Sequence, residues 1–330
     1  MALLNNTPLL DVRHLSVGFE QGDRLLRAVD DISFSVPRGK CVGIVGESGC
    51  GKSVTAMSMV RLLPQPAGRI LGGQVLFNGK DVLQMPPDKL RELRGGRIGF
   101  IFQEPMNALN PVHTIGEQVA ETLMLHRGMS AEQAWVEAVE LLKLVRIPAA
   151  AERADDFPAA LSGGMRQRVV IAMAIACRPQ LIIADEPTTA LDVTVQQQIL
   201  SLLGEMRREL NASTLLITHD LGIIARHCDR VLVMYAGRIV ESAPVEALFA
   251  QPAHAYTRAL LAAMPRRNYP HKSYLPTIPG QVAAIRDFVP GCRFCQRMGV
   301  TPAELTERPP FVEIAPDHFV EACPRCTGNA

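Results

Sequence analysis

The chain has 330 residues, with 34 Lys and Arg against 33 Asp and Glu, 48% apolar residues and 20% charged ones. This is an ordinary globular balance, with enough apolar material for one large domain or two smaller ones. The near-zero net charge leaves no global field that would favour nucleic acid or an anionic membrane.

The opening stretch, MALLNNTPLLDVRHLSV, lacks the basic start and apolar run of a secretory signal. The longest apolar run, VVIAMAIAC (Val169 to Cys177), falls far short of the roughly 20 residues that a membrane span needs. It reads as a buried helix. The chain is therefore expected to be soluble and cytoplasmic, a reducing setting in which its cysteines do not imply a disulfide framework.

In chain order, LLDVRHLSVGF and RAVDDISFSV read as strands, followed by the turn PRGK. CVGIVG reads as a buried strand, and ESGCGKSVTAMSMVRLL as a glycine loop entering a helix. More strand follows near GGQVLFNGKDV, with a turn at Asn78-Gly79. From about Glu104 to Ala160 the spacing is helical, and one helix opens at Ser130 with Gln133 three positions on, the pattern of a capping box. Strands and helices then alternate: a helix from Gly163, QLIIADEP, a helix from Asp192, STLLITHD, a helix, and RVLVMYAG. Such alternation predicts a parallel sheet covered on both faces, an α/β fold. After about Gln251 the chain turns proline-rich, which suggests a small appended domain over 252–330.

GESGCGKS, from Gly46 to Ser53, fits the phosphate-loop pattern G-x-x-x-x-G-K-[ST]. A polyphosphate must lie against bare backbone, so Gly49 and Gly51 remove side-chain obstruction. Consecutive N–H groups and the start of the following helix then face the phosphate oxygens. Lys52 reaches the β- and γ-phosphates, and the Ser53 hydroxyl ligates Mg²⁺. Downstream, LIIADE is an apolar strand ending in Asp185 and Glu186. Acidic residues at the carboxyl end of a parallel strand face the ligand crevice. Asp185 is suited to hold Mg²⁺ through water, and Glu186 to act as general base on the attacking water.

LSGGMRQR (Leu161 to Arg168) strongly resembles the signature of ABC-type ATPases, and the family's other motifs follow in the expected order. Gln103 in IFQEP resembles the Q-loop, TALD (Thr189 to Asp192) the D-loop, and His219 in LLITHD the switch histidine. The resemblance runs over about residues 8–250. It implies a P-loop NTPase core with an N-terminal antiparallel β subdomain, a helical subdomain at about 104–161 within 1–251, and the smaller 252–330 domain. It implies ATP bound by Gly46, Ser48, Gly49, Cys50, Gly51, Lys52, Ser53 and Val54, with adenine against Phe19. Ser53, Gln103 and Asp185 serve Mg²⁺, Glu186 activates water, and Lys52 and His219 complete the catalytic set. Ser162, Gly163 and Gly164 close over the γ-phosphate held by a second ATPase subunit. Met165 stands where the family more often has glutamine.

EPMNALNPVHTIGEQVAETL resembles the Q-loop segment of the oligopeptide and dipeptide importers, and PAHAYTRALLAAMP resembles their His-Pro-Tyr-Thr element with Ala255 in place of proline. The same helix also reads as plainly amphipathic, with Tyr256, Leu260, Leu261 and Met264 on one face. The importer resemblance implies a peripheral ATPase on the cytoplasmic face of the bacterial inner membrane. Its partners would be a second, different ATPase subunit, two integral-membrane permease subunits and an external substrate-binding protein, with no nucleic acid. The competing readings are a nickel-importer ATPase of the same group, a soluble ABC protein acting on nucleic acid or ribosomes, and a regulatory or redox-sensing subunit with idle ATP sites.

Cys292 and Cys295 form one C-x-x-C, and Cys323 and Cys326 another. Two such pairs let four thiolates converge on one metal, which would staple a segment with little core of its own. Spacing admits Zn²⁺, although the middle segment is longer than in the usual zinc pattern, and four free thiols without a metal are a further reading. The importer resemblance implies a [4Fe–4S] cluster, with the cysteine spacing departing from that group's usual one. Cys41, Cys50, Cys177 and Cys228 are scattered and read as small apolar packing.

Overall fold

A computed structural model describes residues 7–104, 108–189, 191–264 and 276–328. Pro105 to Asn107 of the expected Q-loop segment, Ala190 of TALD and Pro265 at the end of the importer element lie outside the described residues. The strands in chain order are β1 (Leu10–Gln21), β2 (Arg24–Val36), β3 (Cys41–Val45), β4 (Gly68–Phe77), β5 (Lys80–Asp81) and β6 (Ile98–Ile101). They continue with β7 (Leu181–Asp185), β8 (Ser213–Thr218), β9 (Arg230–Tyr235), β10 (Arg238–Pro244), β11 (Phe311–Ala315) and β12 (His318–Glu321).

The chain forms two compact units. The first comprises Met1–Leu10, Val36–Cys41 and Phe77–Ile217. Here β6, β7 and β8 run parallel, with Ile98 opposite Leu181 and Leu181 opposite Ser213. Every residue of β7 is buried, as a parallel strand covered on both faces should be. The helices Ile115–Arg127 and Ala131–Leu144 pack on each other and on the helix Gly163–Ile175. Both open with a complete capping box, Thr114 with Glu117 and Ser130 with Gln133. Each box satisfies N–H groups that a helix start otherwise leaves unpaired. The apolar run from Val169 is the buried face of the Gly163–Ile175 helix, as its sequence suggests.

The second unit comprises Asp11–Ser35, Val42–Leu76 and Thr218–Ala330. β1 lies between β2 and β4. β3 runs parallel to β9, β9 and β10 form an antiparallel pair, and β10 pairs antiparallel with β12. β12 in turn pairs with β11. The C-terminal segment thus adds strands and side chains to the sheet and core of this unit. Glu241 of β10 sits opposite Val320 of β12, and Tyr256, Phe294 and Cys295 share a core with Val45, Val233 and Tyr235. The expected shortage of core in 252–330 is met by borrowing the core around β3 and β9.

A buried ionic group ties this arrangement together. Asp30 accepts from Arg238 Nε at 2.9 Å and from Arg293 Nη2 at 2.7 Å. Arg238 also donates to the Gly291 and Pro290 carbonyls, so the guanidinium is largely satisfied. The Glu241 carboxylate is fully buried and accepts from the Ala253 and His254 N–H groups and faces His318 Nε2 at 2.7 Å. It anchors the start of the helix Ala255–Ala262 to β10.

Candidate functional site

The phosphate loop leaves the fully buried β3 at Gly46 and runs into the helix Lys52–Met59. Gly51 is left-handed at φ 104, and a Cβ there would sit 3.0 Å from the Ala28 carbonyl oxygen, so the turn is closed to larger residues. At Gly46 a Cβ would collide with the Met234 carbonyl of the neighbouring β9. Ser48 and Gly49 are exposed, while Cys50, Gly51 and Lys52 are buried. Lys52 Nζ donates to the Gly46 carbonyl at 2.9 Å and the Glu47 carbonyl at 3.1 Å, which holds the ammonium against the loop. Burial pushes the Cys50 thiol up to about 11, so it stays protonated and serves packing.

The same unit carries Phe19, half-buried near the end of β1, and His219, exposed just past β8. Asp220 follows and caps the helix Leu221–His227 by accepting from the Gly222 and Ile223 N–H groups. His219 is thus fixed at a strand-to-helix corner.

The other unit carries the acidic half of the motif set. Asp185 ends β7 and is 4% exposed. Glu186 follows at φ 44, a left-handed conformation that costs a non-glycine residue about 1 kcal/mol or more. Its N–H donates to the Ile217 carbonyl of β8 at 2.9 Å, which pins the turn. The Glu186 carboxylate accepts from the Thr189 hydroxyl at 3.0 Å and lies 3.4 Å from Gln103 Nε2. The structure therefore brings Gln103 and Glu186 together, from strands that precede them in the parallel sheet. Ser162 and Gly163 are exposed at the start of the helix Gly163–Ile175, where Ser162 Oγ accepts from the Met165 N–H. The Met165 departure leaves this cap intact, because only its backbone takes part.

The C-terminal cysteines converge. Cys292 Sγ lies 3.6 Å from Cys326 Sγ, and Cys295 Sγ lies 3.5 Å from both Cys323 and Cys326. All four are buried, and their sulfurs lie within 4.8 Å of one another. Hydrogen bonds from Cys292 and Cys326 hold the Cys295 thiol down at about 5. Cys292 also caps the helix Arg293–Arg297 by accepting from the Cys295 N–H. A ring nitrogen of His254 and a carboxylate oxygen of Glu321 lie within 4.8 Å of Cys292 Sγ.

Several contacts at this centre are not evident from sequence. Tyr256 reads there as one residue of an amphipathic face, yet its hydroxyl accepts from the Glu47 N–H of the phosphate loop at 3.0 Å. Arg297 donates to the Glu47 carboxylate at 2.6 Å. His254 and Glu321 join the cysteines from separate stretches of chain. The only sequence signal was the His-x-Tyr spacing in the importer element.

Known proteins give these motifs a setting. The ABC transporter family pattern matches residues 29–189, and the pattern of the oligopeptide/dipeptide transporter C-terminal region matches residues 240–299. The "Probable peptide ABC transporter ATP-binding protein y4tR" of Sinorhizobium fredii is 49% identical over 94% of this chain and 93% of its own length. The oligopeptide transport ATP-binding protein OppD of Escherichia coli is 47% identical over 96% of this chain and 92% of its own. Among solved structures, the dimeric post-hydrolysis state of the ATP-binding cassette MJ0796, bound to ADP and Pi, superposes with a TM-score of 0.64. It is 29% identical and covers 72% of this chain and 98% of its own. The chain belongs to the ABC transporter family, in the group of ATP-binding proteins that carry the oligopeptide/dipeptide transporter C-terminal region.

Proposed function

We propose that the chain binds Mg·ATP and hydrolyses it to power peptide uptake through a membrane permease. The observation that carries this reading is the pairing of an intact phosphate loop with the peptide-importer C-terminal region in one chain. The named activities of relatives along nearly the whole chain support it. In this reading, loop N–H groups from Ser48 to Val54 and the Lys52 ammonium hold the phosphates, and Phe19 stacks on the base. Ser53, Gln103 and Asp185 hold Mg²⁺, which supplies charge neutralisation on the phosphate oxygens. Glu186 accepts a proton from the attacking water, and His219 orients that water. Asp185 is buried and Glu186 is fixed by its turn, so neither carboxylate has far to reorganise.

Ser162, Gly163 and Gly164 serve a second ATPase subunit, and the exposure of Ser162 and Gly163 supports that role. The partner ATPase is a different chain, and two permease subunits and an external binding protein complete the importer. No described helix is long and apolar enough to cross a membrane. In this reading the permease subunits supply the hydrophobic path. The chain acts peripherally, on the cytoplasmic face.

The four buried thiols are suited to a metal. A tetrahedral zinc with Zn–S bonds of about 2.3 Å sets sulfurs about 3.8 Å apart. The observed 3.5 and 3.6 Å edges match a single ion of that kind. A [4Fe–4S] cluster, the alternative from the importer resemblance, needs the thiolates spread around a larger body. Cys292, Cys295, Cys323 and Cys326 would hold either group, and the thiols supply soft, anionic ligation.

Reconstitution tests the whole reading. Proteoliposomes carrying the permease subunits and this ATPase should accumulate labelled peptide only with Mg·ATP, and the Lys52→Ala chain should accumulate none. Nickel accumulation without peptide accumulation would select the nickel-importer reading instead.

A further inference from the structure

Glu47 is the first residue after Gly46 in the phosphate loop, and three groups converge on it. Its N–H donates to the Tyr256 hydroxyl at 3.0 Å. Its carboxylate receives Arg297 Nη1 at 2.6 Å. Its carbonyl accepts from Lys52 at 3.1 Å, so the lysine that faces the phosphates leans on the residue held by the other two.

The two outer groups are themselves immobile. Tyr256 is fully buried, with its ring 4.5 Å from Tyr235 and 5.6 Å from Phe294 by centroid. The Arg297 side chain is only 5% exposed, and its remaining nitrogens donate to the Ile278, Pro279 and Gly280 carbonyls. A guanidinium fixed by three carbonyls presents its last nitrogen in one direction, so Glu47 has one favourable position. The phenol likewise gives the Glu47 N–H one partner in one place.

Both groups report on the cysteine centre. Phe294 and Arg297 ride on the five-residue helix Arg293–Arg297, which Cys292 caps and which contains Cys295. Tyr256 follows His254, which neighbours Cys292 and whose Nδ1 accepts from the Tyr256 N–H at 3.1 Å. Two rigid paths therefore run from the thiols to one loop residue. Arg297 sits on the cysteine helix itself, and the Tyr256 ring packs on Phe294 of that helix.

We propose that Tyr256 and Arg297 are positioning residues for the phosphate loop, and that through them the occupancy of the four-cysteine centre sets the affinity for ATP. This rests on the reading that the Gly46–Ser53 loop holds the phosphates. Preorganised loop N–H groups bind an anion without first having to be ordered, and release of the clamp restores that ordering cost.

The test is titration of the full-length chain with a fluorescent ATP analogue and Mg²⁺. Arg297→Met and Tyr256→Phe should each weaken binding, Arg297→Met on the order of tenfold. Arg297→Lys, which keeps a cation for Glu47 but loses the fork that the three carbonyls fix, should recover only part of the affinity. In a Glu47→Gln background, Arg297→Met should have little further effect. A merely structural Arg297 would give full, additive losses in both backgrounds, and that result overturns the proposal. Removing the metal with a chelator should weaken ATP binding by the wild-type chain but not further weaken the Arg297→Met/Tyr256→Phe double variant. Equal chelator effects on both chains overturn the link to the cysteine centre. If Arg297→Met does not fold, Arg297→Lys, Glu47→Gln and Tyr256→Phe carry the same test. Lys52→Ala separates the levels: if it binds ATP normally, the loop reading and this proposal both fall. If it loses ATP while the clamp variants bind normally, the proposal alone falls.

Discussion

Gln103 and Glu186 face each other, with the amide nitrogen 3.4 Å from a carboxylate oxygen that also accepts from Thr189. The carboxylate is held in place, as the proposed general base on the attacking water requires. Glu186→Gln keeps the side chain's shape and removes the basic oxygen. Turnover is expected to fall by about 10²-fold or more with ATP affinity near that of the wild type, since general bases contribute about that much. Phosphate release and nucleotide binding, measured on the same preparation, check it.

Ser162 and Gly163 lie exposed at a helix start, where N–H groups face outward. A bulky cation there should block approach of the proposed second subunit. Ser162→Arg is expected to keep ATP binding by the isolated chain and to abolish ATP-dependent association and hydrolysis. Light scattering with and without Mg·ATP distinguishes the variant from the wild type.

Asp30 is buried among arginines. Burial alone would raise its pKa, but the Arg27, Arg293 and Arg238 guanidinium groups outweigh it and lower the value from 3.8 to about 2. The folded chain therefore binds this proton less tightly than the unfolded one. The stabilisation is fully present above about pH 4 and is withdrawn as the pH falls toward 2. Asp30→Asn should lower the melting temperature near neutrality, and the gap from the wild type should close between pH 4 and pH 2. Thermal melts across that range measure it.

Four thiols lie within 4.8 Å of one another in the core shared with β3 and β9, so a metal held there, as proposed, would act as a structural staple. Cys326→Ser is expected to lose the bound metal and to lower the melting temperature by several degrees. Elemental analysis with a visible spectrum identifies the group: zinc without colour fits the observed sulfur spacing, and iron with sulfide and a brown colour fits the cluster.

Local signals in the sequence translated directly into structure. The capping box at Ser130 and Gln133 needs only four consecutive residues, and it forms as written. The phosphate loop is likewise local, with glycines where left-handed turns fall. What stayed hidden is long-range. The pairing of Glu241 with Val320 depends on a strand register that no local pattern encodes. Arg297 meets Glu47 across 250 positions of chain. Nothing near Arg297 in sequence distinguishes it from a solvated surface arginine. The burial of Asp30 with Arg238 and Arg293 was equally invisible, because each residue alone reads as an exposed charge.

The most direct measurement is the mass of the Glu186→Gln chain by light scattering, mixed with the second ATPase subunit of its importer, in the presence of Mg·ATP. A chain that carries only part of each reaction centre should roughly double its mass with ATP and return to the single-subunit mass with ADP. A nucleotide-saturated particle that stays a single subunit with ATP, or a wild-type chain whose rate per subunit is unchanged on dilution to a single-subunit state, would contradict it.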